Sequence, residues 1–278
     1  MVNTTKESMM IRSPLKWVGS KARIMDTLRL HLPAGNRLVE PFAGSASVFL
    51  NTNYRSHLLA DINPDLIGLF NTIKTTPEDL LDCAGLFFRF DNTAERFRVI
   101  RDSFNNCDSE FCRAVMFLYL NRHCYNGLCR YNSAGRFNVP YGRYKAPYFP
   151  KEEIIQFAEK AKNAVFLHLD FEATIEMAGA GDVVYCDPPY IPTSSTANFT
   201  KYHTGGFTPA DHGRMIAALQ AAAARGCHVV VSNAAIAENV YRYSGFTVHR
   251  ITAPRSVSCK GSERQAADEI IATLGETA

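Results

Sequence analysis

The sequence predicts an α/β fold built on a doubly wound sheet, with a helical module inserted in its middle. Apolar runs of strand length recur along the chain, helix-like patterns lie between several of them, and over residues 71–150 that alternation breaks down. A chain of 278 residues can hold one elaborated domain or a core plus an insertion. The broken alternation selects the second, with the sheet drawn from residues 1–70 and 151–278 and the insertion from 71–150.

The elements follow in order. A helical pattern at 21–32 precedes the strand-like run "RLVEPF" (37–42), a second helix at 45–51, and "HLLADIN" (57–63). The insertion reads as helices at 77–89, 94–104 and 109–121, followed by "HCYNGLCRYNSAGRFNVPYGRYK" (123–145). There, aromatic and basic residues nearly alternate, and Asn126-Gly127 and Ser133-Ala134-Gly135 are turn signals, so this segment is expected to form a β-hairpin. The sheet resumes with a helix at 152–161, "AVFLHLDF" (164–171), "DVVYCDPPY" (182–190), a helix at 209–225, "HVVVSNA" (228–234), "FTVHRI" (246–251) and "DEIIATL" (268–274). Ligands of such sheets bind outside the carboxyl ends of the strands, where Glu40, Asp61, Asp170 and Asp187 fall.

Hydrophobic residues make up 46% and charged residues 21%, ordinary values for a globular protein. No apolar stretch is long enough for a signal peptide or a membrane span, so a cytoplasmic protein is expected, with no membrane partner. Eight cysteines without a Cys-x-x-Cys pair read as reduced, mostly buried thiols, with no metal site. Net charge is only +3, yet residues 111–150 contain no Asp or Glu and carry Arg113, Arg122, Arg130, Arg136, Arg143 and Lys145. Basic charge concentrated in one stretch of a nearly neutral chain points to a surface that faces a polyanion.

Two motifs carry chemistry. In "VEPFAGSASVFL" a glycine turn links a strand to a helix, and Gly44 lacks the Cβ that would hold a ligand away from the backbone. Asp61 follows 17 residues later at the end of the next strand, where a carboxylate accepts hydrogen bonds from ribose hydroxyls. A plain turn with a helix-capping Asp explains this pair equally well. No Gly-rich phosphate loop ending in Lys-Ser/Thr is present, which argues against a nucleoside triphosphatase.

Asp187-Pro188-Pro189-Tyr190 is more specific. Both prolines lack N–H groups, and Pro189 holds Pro188 extended, so the local backbone offers carbonyl acceptors with few competing donors. The exocyclic amine of a nucleobase is a poor nucleophile because its lone pair is delocalised into the ring. The Asp187 carboxylate and the Pro188 carbonyl can accept its two hydrogens and favour a pyramidal nitrogen, while Tyr190 stacks on the base. Cys186 precedes the carboxylate on the strand and is expected to point into the core.

Together with "PLKWVGSK", "LLADIN" and "TANFTKYH", these motifs occur in an order that resembles the Dam family of DNA adenine-N6 methyltransferases over nearly the whole chain. The resemblance implies a methyltransferase that takes its methyl group from S-adenosylmethionine and acts on adenine in double-stranded DNA at the palindrome GATC. The base is flipped out of the stack, residues 71–150 recognise the target, and a monomer acting on one strand at a time suffices. Catalysis is assigned to Asp187, Pro188, Pro189 and Tyr190. The cofactor is assigned to Gly44 and Asp61, to Trp17 packing on it, to Asp170 and Phe171 at its adenine ring, and to Lys21, Glu40 and Phe42. Tyr125 and Asn126 are expected near the place the flipped base vacates, with Leu128, Arg130, Pro140 and Tyr144 reading flanking bases, helped by Lys16. Arg136 and Arg143 are candidates for phosphate contacts, and the protein is expected at the nucleoid through DNA. Residues 191–207, rich in Thr, Ser and Gly, are expected to form a lid.

The residues themselves leave other readings open. Trp17 and Phe171 fit a core role, and the hairpin fits a basic surface that touches only phosphates. Cytosine-N4 or RNA-base methylation uses a related motif, and a catalytically silent DNA-binding homologue would keep the fold. Two departures from the family pattern stand out. Phe-x-Gly-x-Gly becomes Phe42-Ala43-Gly44-Ser45-Ala46, which puts a methyl on residue 46, and the usual Gly before Lys21 is Ser20.

Overall fold

The computed structural model describes residues 10–90, 92–190, 207–253 and 267–275. Seven strands form one sheet: β1 (Arg37–Glu40), β2 (Ser56–Asp61), β3 (Ala164–His168), β4 (Val183–Cys186), β5 (His228–Ala234), β6 (Thr247–Ala253) and β7 (Ala267–Leu274), in the order β3-β2-β1-β4-β5-β7-β6. The first five are parallel, and β7 runs antiparallel between β5 and β6. β1 and β4 are short and almost wholly buried, as strands covered on both faces must be.

The chain runs outward from β1 through β2 to β3, then returns to place β4 on the other side of β1. The loops after β1 and β4 therefore diverge and leave a crevice between their carboxyl ends, the usual ligand position of an open α/β sheet. Glu40 ends β1, and Asp187 immediately follows β4.

Helices α1 (Met25–Arg29), α2 (Ser47–Leu50), α3 (Pro64–Thr75), α7 (Lys151–Ala161), α8 (Phe171–Glu176), α9 (Pro209–Ala224) and α10 (Glu238–Tyr243) accompany the sheet. Between α3 and α7 lie α4 (Pro77–Phe90), α5 (Ala94–Phe104) and α6 (Glu110–His123). All three agree with the sequence reading to within two residues at most ends. Their start signals are local: Thr93 and Ser109 cap α5 and α6 by accepting from the N–H groups of Arg96 and Cys112.

The differences have physical causes. Residues 21–32 split into a 3₁₀ turn, Lys21–Ile24, and the short α1, because Lys21 is turned inward and the apolar spacing is too brief to sustain one helix. α3 was not expected, although Asn63 caps it and Pro64 starts it, because it packs between the sheet and α6 and its apolar residues serve both. The six-residue α8 and α10 are too short to show a period. The hairpin is reduced to bridges Cys124–Tyr141 and Tyr131–Phe137, with the turn closed by the Asn132 N–H on the Arg136 carbonyl at 2.9 Å. Of the two turn signals, Ser133-Ala134-Gly135 makes that turn, whereas Asn126-Gly127 ends α6 in left-handed backbone at φ 54° and 63°.

One hydrophobic cluster runs from the sheet (Leu59, Phe166) through α3 and α7 (Phe70, Phe157) into α5 and α6 (Phe97, Phe104, Phe117). Ten consecutive residues of α6, Ala114 to His123, are buried, so this helix is the axis on which the segment 124–148 is mounted. Cys186 points into a second cluster, between β4, β5 and α9. The seven described cysteines are free thiols, and Cys124, Cys129, Cys186 and Cys227 are buried. Among the described residues, no helix is long and apolar enough to cross a membrane.

Candidate active site

The crevice between β1 and β4 opens into a cavity of about 520 Å³. Trp17, Lys21, Glu40, Phe42, Gly44, Asp61, Asp170 and Phe171 line it, and so do Asp187, Pro188, Pro189 and Tyr190. Five separate stretches of chain thus meet in one space.

One end is built for an aromatic and a polyhydroxyl group. Phe42 and Phe171 stack with centroids 5.5 Å apart, and Phe207 packs edge-on against both. Asp170 caps α8 through the Glu172 N–H at 2.9 Å, and the Arg214 guanidinium covers Phe171 at 4.9 Å. Asp61 accepts the N–H groups of Gly44 and Asn63, both at 3.0 Å, which fixes its carboxylate at the cavity wall. Burial pushes its pKa up, and those backbone donors oppose the shift. A Cβ on Gly44, which sits at φ +47°, would lie 3.0 Å from the Trp17 indole nitrogen. The close approach that requires glycine is therefore made by Trp17. Ala46 also adopts left-handed backbone, φ 56°, at a cost of about 1 kcal/mol. Ala46 is wholly buried and is not among the residues that line the cavity.

Glu40 is 2% exposed, and its Oε1 has no hydrogen-bond partner among the described residues. Burial raises its pKa to about 8, the Phe49 N–H opposes this, and the nearby Asp187 adds to it. The native state therefore binds a proton that the unfolded chain has released above the ordinary value of 4.5. Stability is expected to be greatest below pH 4.5 on this account and to be lost as pH rises through the folded value near 8. Glu40→Gln should flatten the fall in melting temperature between pH 6 and 8, an effect on the order of 1–3 kcal/mol. Parallel melting curves for variant and wild type would show Glu40 to be no source of that slope.

The other end holds Asp187. Its Oδ2 accepts from Lys21 Nζ at 2.6 Å, and its Oδ1 accepts from Ser232 Oγ at 3.1 Å. Lys21 also donates to the Gly19 carbonyl at 3.0 Å, and its ammonium lies 5.2 Å from the Tyr190 ring. Burial raises the Asp187 pKa, while Lys21 and Ser232 hold it down. The Tyr190 phenol is hydrogen-bonded to Glu269 of β7 and stays protonated, with burial the main cause.

Sequence reasoning missed Ser232 and Tyr185. The Tyr185 hydroxyl lies 2.7 Å from Ser232 Oγ, whose own hydrogen goes to Asp187, so Tyr185 donates and a relay Tyr185–Ser232–Asp187 orients the carboxylate. No local signal marks a buried serine in "HVVVSNA"; only the pairing of β4 with β5 brings it to Asp187. Ser232→Ala is expected to lower turnover about ten-fold while leaving the KM for DNA little changed. Unchanged turnover would make Ser232 a packing residue.

The residues expected at DNA form a separate surface beside the cavity. Tyr125, Asn126, Arg130, Arg136, Pro140 and Arg143 are exposed, while Lys16, Leu128 and Tyr144 are partly buried. Lys16 joins this surface to the cavity through its neighbour Trp17: its ammonium sits 3.8 Å over the Tyr144 ring, and the Tyr144 hydroxyl accepts the Asn126 N–H at 3.0 Å. A Cβ on Gly127 would fall 2.2 Å from that of Lys16, so this contact needs glycine. Arg130 is braced by Asn138, whose Oδ1 accepts its Nε at 2.8 Å, and Arg136 reaches Asn106 at 3.3 Å. "TANFTKYH" and residues 191–206 of the expected lid lie outside the described residues.

A mostly parallel sheet with an aromatic, carboxylate-bearing cavity at its switch point is the arrangement of an α/β enzyme. The family model for D12 class N6 adenine-specific DNA methyltransferases matches residues 17–257. The chain is 55% identical over 201 residues to a DNA adenine methylase of Serratia marcescens, covering 72% of this chain and 74% of that one. It is 48% identical over 263 residues to the Retron Ec67 DNA adenine methylase of Escherichia coli, covering 94% and 90%. The DNA adenine methylase of Escherichia coli strain K12 matches at 45% over 262 residues, covering 94% of each. This chain belongs to the D12 class of N6 adenine-specific DNA methyltransferases.

Proposed function

We propose that the protein methylates N6 of adenine at GATC in double-stranded DNA, taking the methyl group from S-adenosylmethionine and flipping the target base into the cavity. The observation that carries this reading is the Asp187 carboxylate, held in the cavity beside two prolines that have no N–H to occupy it. The family supports adenine over cytosine or an RNA base.

The cavity fits the cofactor. The Phe42–Phe171 wall suits its adenine, Asp61 its ribose hydroxyls, and the unpartnered Glu40 oxygen a cationic amino group. When bound, S-adenosylmethionine supplies a sulfonium-activated methyl group. The chain's own residues supply position: Ser232 fixes the plane of the Asp187 carboxylate, and Asp187 and the Pro188 carbonyl accept the two amine hydrogens. Lys21 Nζ sits on Asp187 Oδ2, so an arriving amine has to share or displace that ammonium. Tyr190 offers a ring for stacking on the base.

Residues 71–150 serve as the DNA-recognition domain and the remainder as the catalytic domain. Arg130, Leu128, Pro140 and Tyr144 read bases with Lys16, Tyr125 and Asn126 fill the gap left by the flipped base, and Arg136 and Arg143 bind phosphates. The protein acts as a cytoplasmic monomer on the nucleoid.

The test is labelled-methyl transfer from S-adenosylmethionine to a duplex with one GATC, against the same duplex with the site scrambled. A duplex carrying 2-aminopurine at the target adenine should brighten on binding as the base unstacks. Equal labelling of both duplexes would overturn GATC, and unchanged fluorescence would overturn flipping.

A further inference from the structure

Arg130 is flanked by two residues that turn the other way. Cys129 is 4% exposed and Tyr131 is partly buried, while Arg130 is exposed, the alternation of an extended segment. Both inward neighbours are tied to the start of α3. The Tyr131 hydroxyl donates to Asp65 Oδ2 at 2.6 Å, and Asn63 Nδ2 donates to Cys129 Sγ at 3.3 Å. Asp65 is itself held by Arg113, whose Nε and Nη2 donate to Oδ1 at 3.0 and 2.6 Å. The remaining arm of Arg113 reaches the carbonyls of Phe104 and Cys107, each at 3.0 Å. Asn63 in turn caps α3 and donates its N–H to Asp61.

Five polar residues from three parts of the chain thus converge beneath one exposed arginine. Apolar packing alone would hold the hairpin down but let it slide, because hydrophobic contact has no preferred direction. A short charge-assisted bond fixes both distance and direction.

We propose that Asp65, Tyr131 and Arg113 are positioning residues for specificity, setting the register and depth at which Arg130 meets the edge of a base pair. The proposal rests on the reading of Arg130 as a base-reading residue. Tyr131 never touches DNA and acts only through its neighbour.

The experiment compares wild type, Tyr131→Phe, Arg130→Ala and the double variant, each as the full chain, on the GATC duplex and on duplexes altered in one outer base pair. Tyr131→Phe keeps the ring and leaves the Asp65–Arg113 pair intact. It is expected to cost about ten-fold in the ratio of kcat/KM between cognate and altered sites, with cofactor affinity unchanged. The double variant should discriminate no worse than Arg130→Ala, since one acts through the other. Arg113→Lys, which keeps the charge but loses the fork, should show the same loss of discrimination in a second background. If Tyr131→Phe lowers the melting temperature and leaves the ratio intact, the network is structural and the proposal is overturned. If Arg130→Ala itself leaves the ratio intact, the reading of Arg130 has failed, and the network positions nothing. A double variant that loses much more than Arg130→Ala would show Tyr131 acting independently and would also overturn it.

Discussion

Asp187→Asn is expected to lower turnover by at least about 100-fold while cofactor binding survives, the pattern of a contact made in the transition state and missing from cofactor recognition. The amide keeps the shape of the carboxylate but loses its charge, so it accepts a hydrogen from the amine less strongly. It also deprives Lys21 of its counter-ion: that ammonium is 6% exposed and lies 2.6 Å from the carboxylate. A charge left unpaired in a cavity is costly, and the variant should melt at a lower temperature as well. Cofactor affinity should persist because Gly44, Asp61 and Phe171 are held by contacts that do not involve Asp187. Single-turnover methylation and equilibrium binding separate the two effects. Near-wild-type turnover would remove Asp187 from the chemistry.

Arg130→Ala is expected to erase discrimination at one outer base pair of the site. A guanidinium can donate two hydrogen bonds to guanine O6 and N7 in the major groove, a pairing worth about 1–3 kcal/mol of discrimination. Its Nε and Nη2 already donate to Asn138, to Oδ1 at 2.8 Å and to the carbonyl at 3.3 Å, which braces the exposed arm; reading a base exchanges the longer of these bonds for guanine. Arg136→Ala and Arg143→Ala should instead lose rate uniformly across sequences and reduce the salt dependence by about one charge each. Single-base-pair variants of GATC, assayed at two salt concentrations, distinguish the behaviours. Equal loss on every variant would make Arg130 a backbone contact.

The sequence by itself determined the strands of the sheet and the three helices α4, α5 and α6. Runs such as "VVYC" can be little else than buried strand, and Asp187 and its prolines announce their chemistry within four residues. Glu40, Gly44, Asp61 and Asp187 were legible for the same reason, since each sits at a strand end or a turn, whereas Trp17 and Lys21 came from the family resemblance. α3 escaped because its apolar residues serve the sheet and α6 at once, and the six-residue helices because two turns carry no period.

Tertiary structure alone decided who meets whom. Ser232 reaches Asp187 across 45 residues of sequence because β5 pairs with β4, and Lys21 reaches it across 166 because the segment before β1 folds over the crevice. Tyr131 and Asp65 are 66 residues apart and share one hydrogen bond. Such contacts have no sequence period. They arise from strand order and a shared core, and the same hydroxyl or carboxylate placed one strand away would face solvent or another partner.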